Sequence, residues 1–282
     1  LIEVVRPGPL ATVQDLGRPG RAHLGVPRSG AADQRAFRLA NRLVGNPEGA
    51  AGVEVTFGGA ALRFHVRAWI SVTGAPVTLR IDGRPHGMNA PCSVSSGAVV
   101  ELDTPASGLR SYVAVRGGIA VDEVLGSRST DLLSGLGPAP LAPGDRLPIG
   151  SAAGLRHINV DVVPVAAMPE TPILQILPGP RDDWFAHDAL ATLTSTPYEV
   201  TPDSNRVGVR LNGPPLVRAR DGELGSEGMV IGSLQVPPSG LPIIFLADHP
   251  TTGGYPVVAV LASAAVAEAA QLRPGQKLRF RV

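Results

Sequence analysis

Lysine is almost missing from this chain: 24 of its 25 basic residues are arginine, and Lys277 stands alone. A phosphate-cradling P-loop needs a lysine after its glycines, and a Schiff-base enzyme needs a desolvated one, so a lone lysine in a terminal strand argues against both. Cysteine is as scarce. Cys92 has no second thiol, which excludes an intrachain disulfide and a multi-thiolate metal site and fits a reducing compartment. A single free thiol is more often a small buried hydrophobe than a nucleophile. The six histidines at 23, 65, 86, 157, 187 and 249 form no HxH or HExxH pair, so no metal site is expected. The G-x-S-x-G and G-x-G-x-x-G signatures of hydrolases and dinucleotide enzymes are absent. Charge is also low, at 17% of residues with a formal net charge of +1, which leaves no basic footprint for nucleic acid. The longest apolar stretch, Val257–Ala267, is broken by Ser263 and is too short for about 30 Å of bilayer, so no membrane span is expected. The opening IEVV carries neither a charged start nor a long apolar run, so no export signal is expected and the chain reads as cytoplasmic.

What the sequence has in quantity is turn chemistry. Its 34 glycines and 28 prolines are about 22% of the residues, well above the roughly 12% of average globular chains. Between them lie runs of four to eight residues rich in Val, Ile, Leu and Thr, such as SYVAVRGGIAV and LPIIFLAD, which predict a mainly β fold with a few short helices, closed into barrels or a sandwich. Two segments open alike, IEVVRPGP at 2–9 and ILQILPGP at 173–180, and two close alike, LAPGDRLPI at 141–149 and LRPGQKLRF at 272–280. A duplicated β module accounts for this, and so does chance recurrence of common turn dipeptides. The expected division is a first β domain over 1–150, a linker over 151–171 and a second β domain over 172–282. Helical spacing of Ala36, Phe37, Leu39, Ala40, Leu43 and Val44 predicts an inserted helix over 32–44, plugging or packing a barrel opening. Further helices are predicted over 181–193 and over 263–271, the last with Ser263 as N-cap.

Polar side chains gather in four glycine-rich stretches, where backbone can approach a ligand closely. TVQDLGRPGRAHLGVPRSGAAD, 12–33, carries Gln14, Asp15, Arg18, Ser29 and Asp33. Its alternative reading is turn and cap chemistry for Asp15, Ser29 and Asp33. SNRVGVRLNG, 204–213, offers Asn205 and Arg206, whose planar fork suits a carboxylate or phosphate but equally suits a structural ion pair. In ELGSEGMVIGSLQVPPSG, 223–240, Glu227 would act as a general base if its surroundings raised its pKa, and Gln235 precedes a Pro-Pro turn. FLADHPTTGGYP, 245–256, ends a strand with Asp248 and His249 and turns through Thr251, Thr252, Gly253 and Gly254. Adjacent strand residues point to opposite faces, so Asp248 and His249 are no catalytic pair by themselves.

Taken in order, TVQDLGRPG, GVPRSGAAD, ANRLVGN, TGAPV, YVAVRGGI with LGSRST, SNRVGVRLNG, SEGMVIGSLQVPPSG and DHPTTGGYP resemble the allophanate hydrolase subunit 2 family, over residues 4 to 280. That family takes in the C subunit of bacterial 5-oxoprolinase, a sporulation kinase-inhibitor antagonist and the carboxyltransferase region of urea carboxylase. Ala32 stands where the family commonly has Met, and GGAAL at 58–62 replaces a more usual Gly-Pro. The resemblance implies two tandem cyclophilin-like β-barrel domains. It implies as partners an allophanate hydrolase subunit 1 protein, like the B subunit of 5-oxoprolinase, and a LamB/YcsF-like third subunit, with ATP used by the complex to open the pyroglutamate lactam. On that reading Arg18 and Arg206 would stabilise charge developing on phosphoryl and carbonyl oxygens, and Glu227 or Asp248 would position a proton or water. Gln14, Asp33, Asn205, Gln235, Thr252 and Gly253 are the candidate substrate contacts. Two other readings stay open: biotin-dependent carboxyl transfer to urea or a similar amide, in which Gln235, Asn205 and amides near Gly253 bind the ureido groups, and a non-catalytic protein that sequesters subunit 1 and so relieves a kinase.

Overall fold

The computed structural model describes residues 1–220, 222 and 224–282. It is mainly β with three α-helices, and it divides into two compact units. Unit 1 comprises Leu1–Arg18, Ser29–Asp131 and Gly135–Ala167, and unit 2 comprises Pro19–Arg28, Leu132–Ser134 and Met168–Val282. Residues 19–28, the middle of the long first loop, thus belong to unit 2, and the segment 151–167 belongs to unit 1.

Unit 1 holds two antiparallel sheets. One runs, in spatial order, Arg146–Leu147, Ile2–Pro7, Ala60–Phe64, Val99–Leu102, Leu79–Ile81 and Arg84–His86. The other runs Leu10–Gln14, Gly52–Thr56, Arg110–Val115, Ala68–Gly74 and Pro91–Val94. Alternation drives them together, because Ile2, Val4, Leu62, Phe64, Val100 and Leu102 of the first share one apolar core with Val13, Val53, Val55, Ile70, Val72 and Val113 of the second. Strand Arg110–Val115 is buried along its whole length. Val113 and Val115 face that core, while Tyr112 and Ala114 face the helix α1, Gln34–Leu43. The helix therefore lies on the outer face of this sheet and does not plug an opening. Ser71 Oγ donates to the Ala40 carbonyl at 2.6 Å and Thr73 Oγ1 to the Ala36 carbonyl at 2.7 Å, and Phe37 meets the Tyr112 ring edge-on with centroids 5.9 Å apart.

Unit 2 is built round a closed seven-stranded barrel: Ile173–Pro178, Val257–Leu261, Ser233–Gln235, Ile243–Phe245, Gly208–Asn212, Tyr198–Val200 and Lys277–Arg281. KLRFR at 277–281 shows the rule plainly, with Leu278 and Phe280 inside and Lys277, Arg279 and Arg281 outside. Closure comes from Ile173–Pro178 lying parallel to Lys277–Arg281, the one parallel pair among the strand pairings described. In each unit the opening strand lies beside the closing strand, but Ile2–Pro7 and Arg146–Leu147 run antiparallel. The likeness of the two halves therefore does not extend to strand direction. The predicted helix over 181–193 is a 3-10 turn, Asp182–Trp184, followed by α2, Ala189–Ser195. The third, α3, spans Ser263–Ala269 with Ala262 as its N-cap, so Ser263 is the first helical residue and caps nothing.

Tyr112 joins sheet, helix and loop, since its buried hydroxyl accepts the backbone N–H of Asp33, the α1 N-cap, at 2.8 Å. Tyr112→Phe leaves that N–H without its acceptor at little cost in volume. We expect a loss of about 1–3 kcal/mol in chemical denaturation, with the barrel unit unaffected.

Candidate functional site

In unit 1 the first polar stretch organises itself round Asp15. Its Oδ1 accepts from Gly17 N at 2.7 Å, Ser127 Oγ at 2.7 Å and Ser129 Oγ at 2.5 Å, and its Oδ2 from Arg128 N at 2.7 Å. Both oxygens of the carboxylate are thereby engaged in pinning the 125–130 turn to the 15–18 loop. Gln14 Nε2 donates to Thr12 Oγ1 and to the Thr130 carbonyl, each at 3.0 Å, and Ser29 Oγ donates to the same carbonyl. Asp33 accepts from Ala36 N at 2.9 Å as the cap of α1. Arg18 is 1% exposed; Nη2 donates to the Ser129 carbonyl at 2.6 Å and Nε to Val124 at 3.3 Å, while Nη1 ends 4.0 Å from Asp131 Oδ2 without a hydrogen bond. A side chain at Gly137, φ +82°, would strike the Ser129 carbonyl and press on Arg18 Nη2, so this cradle needs glycine there.

In unit 2 the structure joins Arg206 to Asp248. Nε donates to Oδ2 at 2.9 Å and Nη2 to Oδ1 at 3.0 Å, the bidentate geometry that arginine favours, and Leu132 N also donates to Oδ2 at 3.1 Å. Both side chains are essentially sealed from solvent, at 1% and 0%. The fork read as a phosphate or carboxylate grip thus holds a carboxylate of its own chain. Asn205, exposed beside it, accepts Val207 N at 2.8 Å in a turn. His249 Nδ1 lies 2.7 Å from the Pro250 carbonyl and its ring stacks on Phe245, so it does not pair with Asp248 through that nitrogen.

The remaining candidates meet at a small ribbon, Glu227–Gly228 paired with Thr252–Gly253. Arg181 clamps Glu227 from 46 residues away, Nε reaching Oε1 at 2.9 Å and Oε2 at 3.1 Å with Nη2 also on Oε1. This clamp holds the Glu227 carboxyl below its usual range. A general base of raised pKa is therefore not what this environment makes; Glu227 is an ionised acceptor. Beneath the ribbon the buried Gln235 donates through Nε2 to the Tyr255 carbonyl at 3.2 Å and lies 3.8 Å from Met229 Sδ. A Cβ built on Gly253 would come within 2.5 Å of Gln235 Nε2, so only glycine lets the ribbon pack this closely on the buried amide. Glycine, carboxamide and ionised carboxylate together suit a planar amide or ureido group. Glu223, which opens the third polar stretch, lies outside the described residues.

Sequence reasoning missed Arg181 and Asp131. Arg181 follows the Pro-Gly-Pro turn at 178–180 directly, a position where a basic residue after a rigid turn could have drawn notice. Cys92 is half-buried, and burial raises its thiol pKa, which leaves it protonated at neutral pH.

Comparison with known proteins bears on these residues. The family model described as "Carboxyltransferase domain, subdomain A and B" matches residues 24–282. The chain is 37% identical to the C subunit of 5-oxoprolinase from Escherichia coli K12, over 99% of this chain and 90% of that protein, and 32% identical to its counterpart from Haemophilus influenzae over the same shares. Among solved structures, the Kluyveromyces lactis urea carboxylase superposes with a TM-score of 0.91 at 31% identity, covering 99% of this chain and 27% of that one. TTHA0988 gives a TM-score of 0.91 at 35% identity, with this chain spanning 55% of its length.

Two outcomes are expected. Arg206→Ala should cost roughly 3–5 kcal/mol in chemical denaturation, because it strands the Asp248 carboxylate, whereas Arg206→Met combined with Asp248→Leu should cost far less than the two single changes summed. A carbon-detected NMR titration should find Glu227 below the ordinary carboxylate range in the wild type and back within it in Arg181→Gln.

Proposed function

The chain belongs to the carboxyltransferase domain, subdomain A and B, family, the one its motifs resemble, and from that premise we propose that it is the C-type subunit of an ATP-dependent 5-oxoprolinase, cytoplasmic and partnered by a protein like the B subunit of that enzyme and by a LamB/YcsF-like protein. The observation that carries this reading is the 37% identity to the C subunit of a 5-oxoprolinase across nearly both whole chains. The tandem cyclophilin-like barrels of the resemblance would correspond to the two-sheet body of unit 1 and the closed barrel of unit 2.

A lactam is an unreactive amide, so its opening calls for activation at the carbonyl oxygen and an acceptor for the ring N–H. Glu227, kept ionised by Arg181, would accept that N–H, with Gln235 and the backbone at Thr252 and Gly253 aligning the amide plane. Arg206 and Asp248, tied to each other, would set the course of the 248–254 turn as positioning residues, and the Arg18 cradle with Gln14 and Asp33 would do the same for the 15–33 loop. The phosphoryl-binding cations for ATP are assigned to the partner subunits, in keeping with the exposed position of Lys277 on the outside of the barrel.

A second reading, carboxyl transfer to a urea-like amide, is favoured by the likeness to the Kluyveromyces lactis urea carboxylase. The donors and acceptors of Gln235 and Glu227 suit a ureido group as they suit a lactam. Biotin would supply the carboxyl group from a separate carrier, while Gln235 and Glu227 would orient the acceptor amide.

Reconstituting the chain with both partner subunits separates the two. Pyroglutamate-dependent ATP hydrolysis is expected, falling at least roughly tenfold in Gln235→Leu, which removes the amide contact and leaves a similar volume. ATP hydrolysis driven by urea and not by pyroglutamate would move the assignment to the second reading.

A further inference from the structure

We propose that unit 2 carries an oxyanion-binding cleft built on Arg218 and Arg220. The cleft, of about 430 Å3, opens between residues 215–220 and the turn at 238–240. Its walls are preformed. Leu216 N donates to the Gly240 carbonyl at 2.9 Å and Gly240 N to the Pro237 carbonyl at 2.9 Å. Gly240 sits at φ +76°, where a side chain would come within 2.9 Å of Pro215 Cβ. Proline and glycine walls fastened in this way lose little freedom when a ligand enters.

The chemistry lies in how Arg218 is held. Nη2 donates to the Val236 carbonyl at 2.9 Å, and the guanidinium carbon lies 5.9 Å from the centre of the Tyr255 ring. Nε is buried with no acceptor, and the residue lines the cleft. Arg220 contributes a second guanidinium, whose Nη2 pairs with Asp183 Oδ2 at 2.7 Å. No carboxylate lines the cleft among the described residues. Two guanidinium groups over a cleft whose described lining holds no acid favour a carboxylate or a phosphoryl group.

Position gives the site its meaning. Arg218 grips the carbonyl of Val236, the residue after Gln235, and packs on the ring of Tyr255, whose carbonyl takes the Gln235 amide. The anion subsite and the amide contact therefore share one backbone scaffold, as a small molecule with both an amide and a carboxylate would require. That identification of the ligand rests on the 5-oxoprolinase reading; the existence of the anion site does not.

The test is calorimetric titration of the full chain with 5-oxoproline and, separately, with inorganic phosphate. The variants are Arg218→Gln, Arg218→Lys and Arg220→Gln, with Arg281→Gln on the outer barrel face as control and circular dichroism melts to verify folding. Saturable binding of one ligand is expected, weakened roughly tenfold or more by Arg218→Gln, less by Arg220→Gln and partly regained in Arg218→Lys, with Arg281→Gln unchanged. Saturation by 5-oxoproline identifies a carboxylate site, and saturation by phosphate a phosphoryl site. If neither ligand saturates, or if folded Arg218→Lys and Arg220→Gln bind as the wild type does, the proposal is overturned. Wild-type pyroglutamate turnover in an Arg218→Gln complex would sink the cleft as the pyroglutamate carboxylate subsite and spare the 5-oxoprolinase reading. Cleft binding in a complex that shows no such turnover would do the reverse.

Discussion

A loop folded inward on a β-sheet takes its backbone amides out of water, and each must then find an acceptor within the protein. Both units meet this demand with a buried carboxylate. In unit 1 Asp15 receives the amides of Gly17 and Arg128 together with two serine hydroxyls, and in unit 2 Asp248 receives Leu132 N and the Arg206 fork. Much of the rest depends on these two acceptors. Without Asp15 the 125–130 turn that cradles Arg18 has nothing to close on, and without Asp248 the strand end leading into the 251–254 turn loses its anchor. Acid side chains that look catalytic when read in isolation are here the fasteners of glycine-rich loops.

That division of labour sorts the polar residues of the chain. Charges sealed inside are already matched, so their energy goes into holding shape. Those near the ribbon of Glu227–Gly228 and Thr252–Gly253 keep part of their bonding capacity turned outward. Arg181 keeps Glu227 ionised without burying it, and the missing side chain of Gly253 lets the ribbon lie directly against the Gln235 amide. The scarcity of lysine has a related consequence. The buried cations described are all planar, five-donor forks, which hold direction as well as charge, as at Arg18 and Arg206.

The sequence was most readable where one physical rule acted alone. Pro-Gly turns marked the strands at ILQILP and KLRFR, and helical spacing placed α1 to within two residues of its observed bounds. It was least readable where two rules competed or where partners were distant. The stretch SYVAVRGGIAV reads simply as a strand, yet it buries both faces, Tyr112 included, and that is what sends α1 to the outside of the sheet. Ser263 has good capping chemistry, but it is the first helical residue and the cap falls one residue sooner, on Ala262. The polar stretches themselves were visible from their glycines. What no local pattern could reveal is that Arg206 would close on Asp248, or that Arg181 would meet Glu227, since each pair is separated by more than 40 residues and is joined only by the barrel.

The parallel strand pair that closes the barrel sets an order of events in synthesis. Ile173–Pro178 and Lys277–Arg281 lie about a hundred residues apart in sequence, so the cylinder cannot close until nearly all of the chain described here has left the ribosome. Residues 19–28 and 132–134 belong to that same unit, and they emerge long before the strands they accompany. Until translation reaches the last strand these early segments have no native place to settle, and they are the stretches a chaperone would have longest to hold.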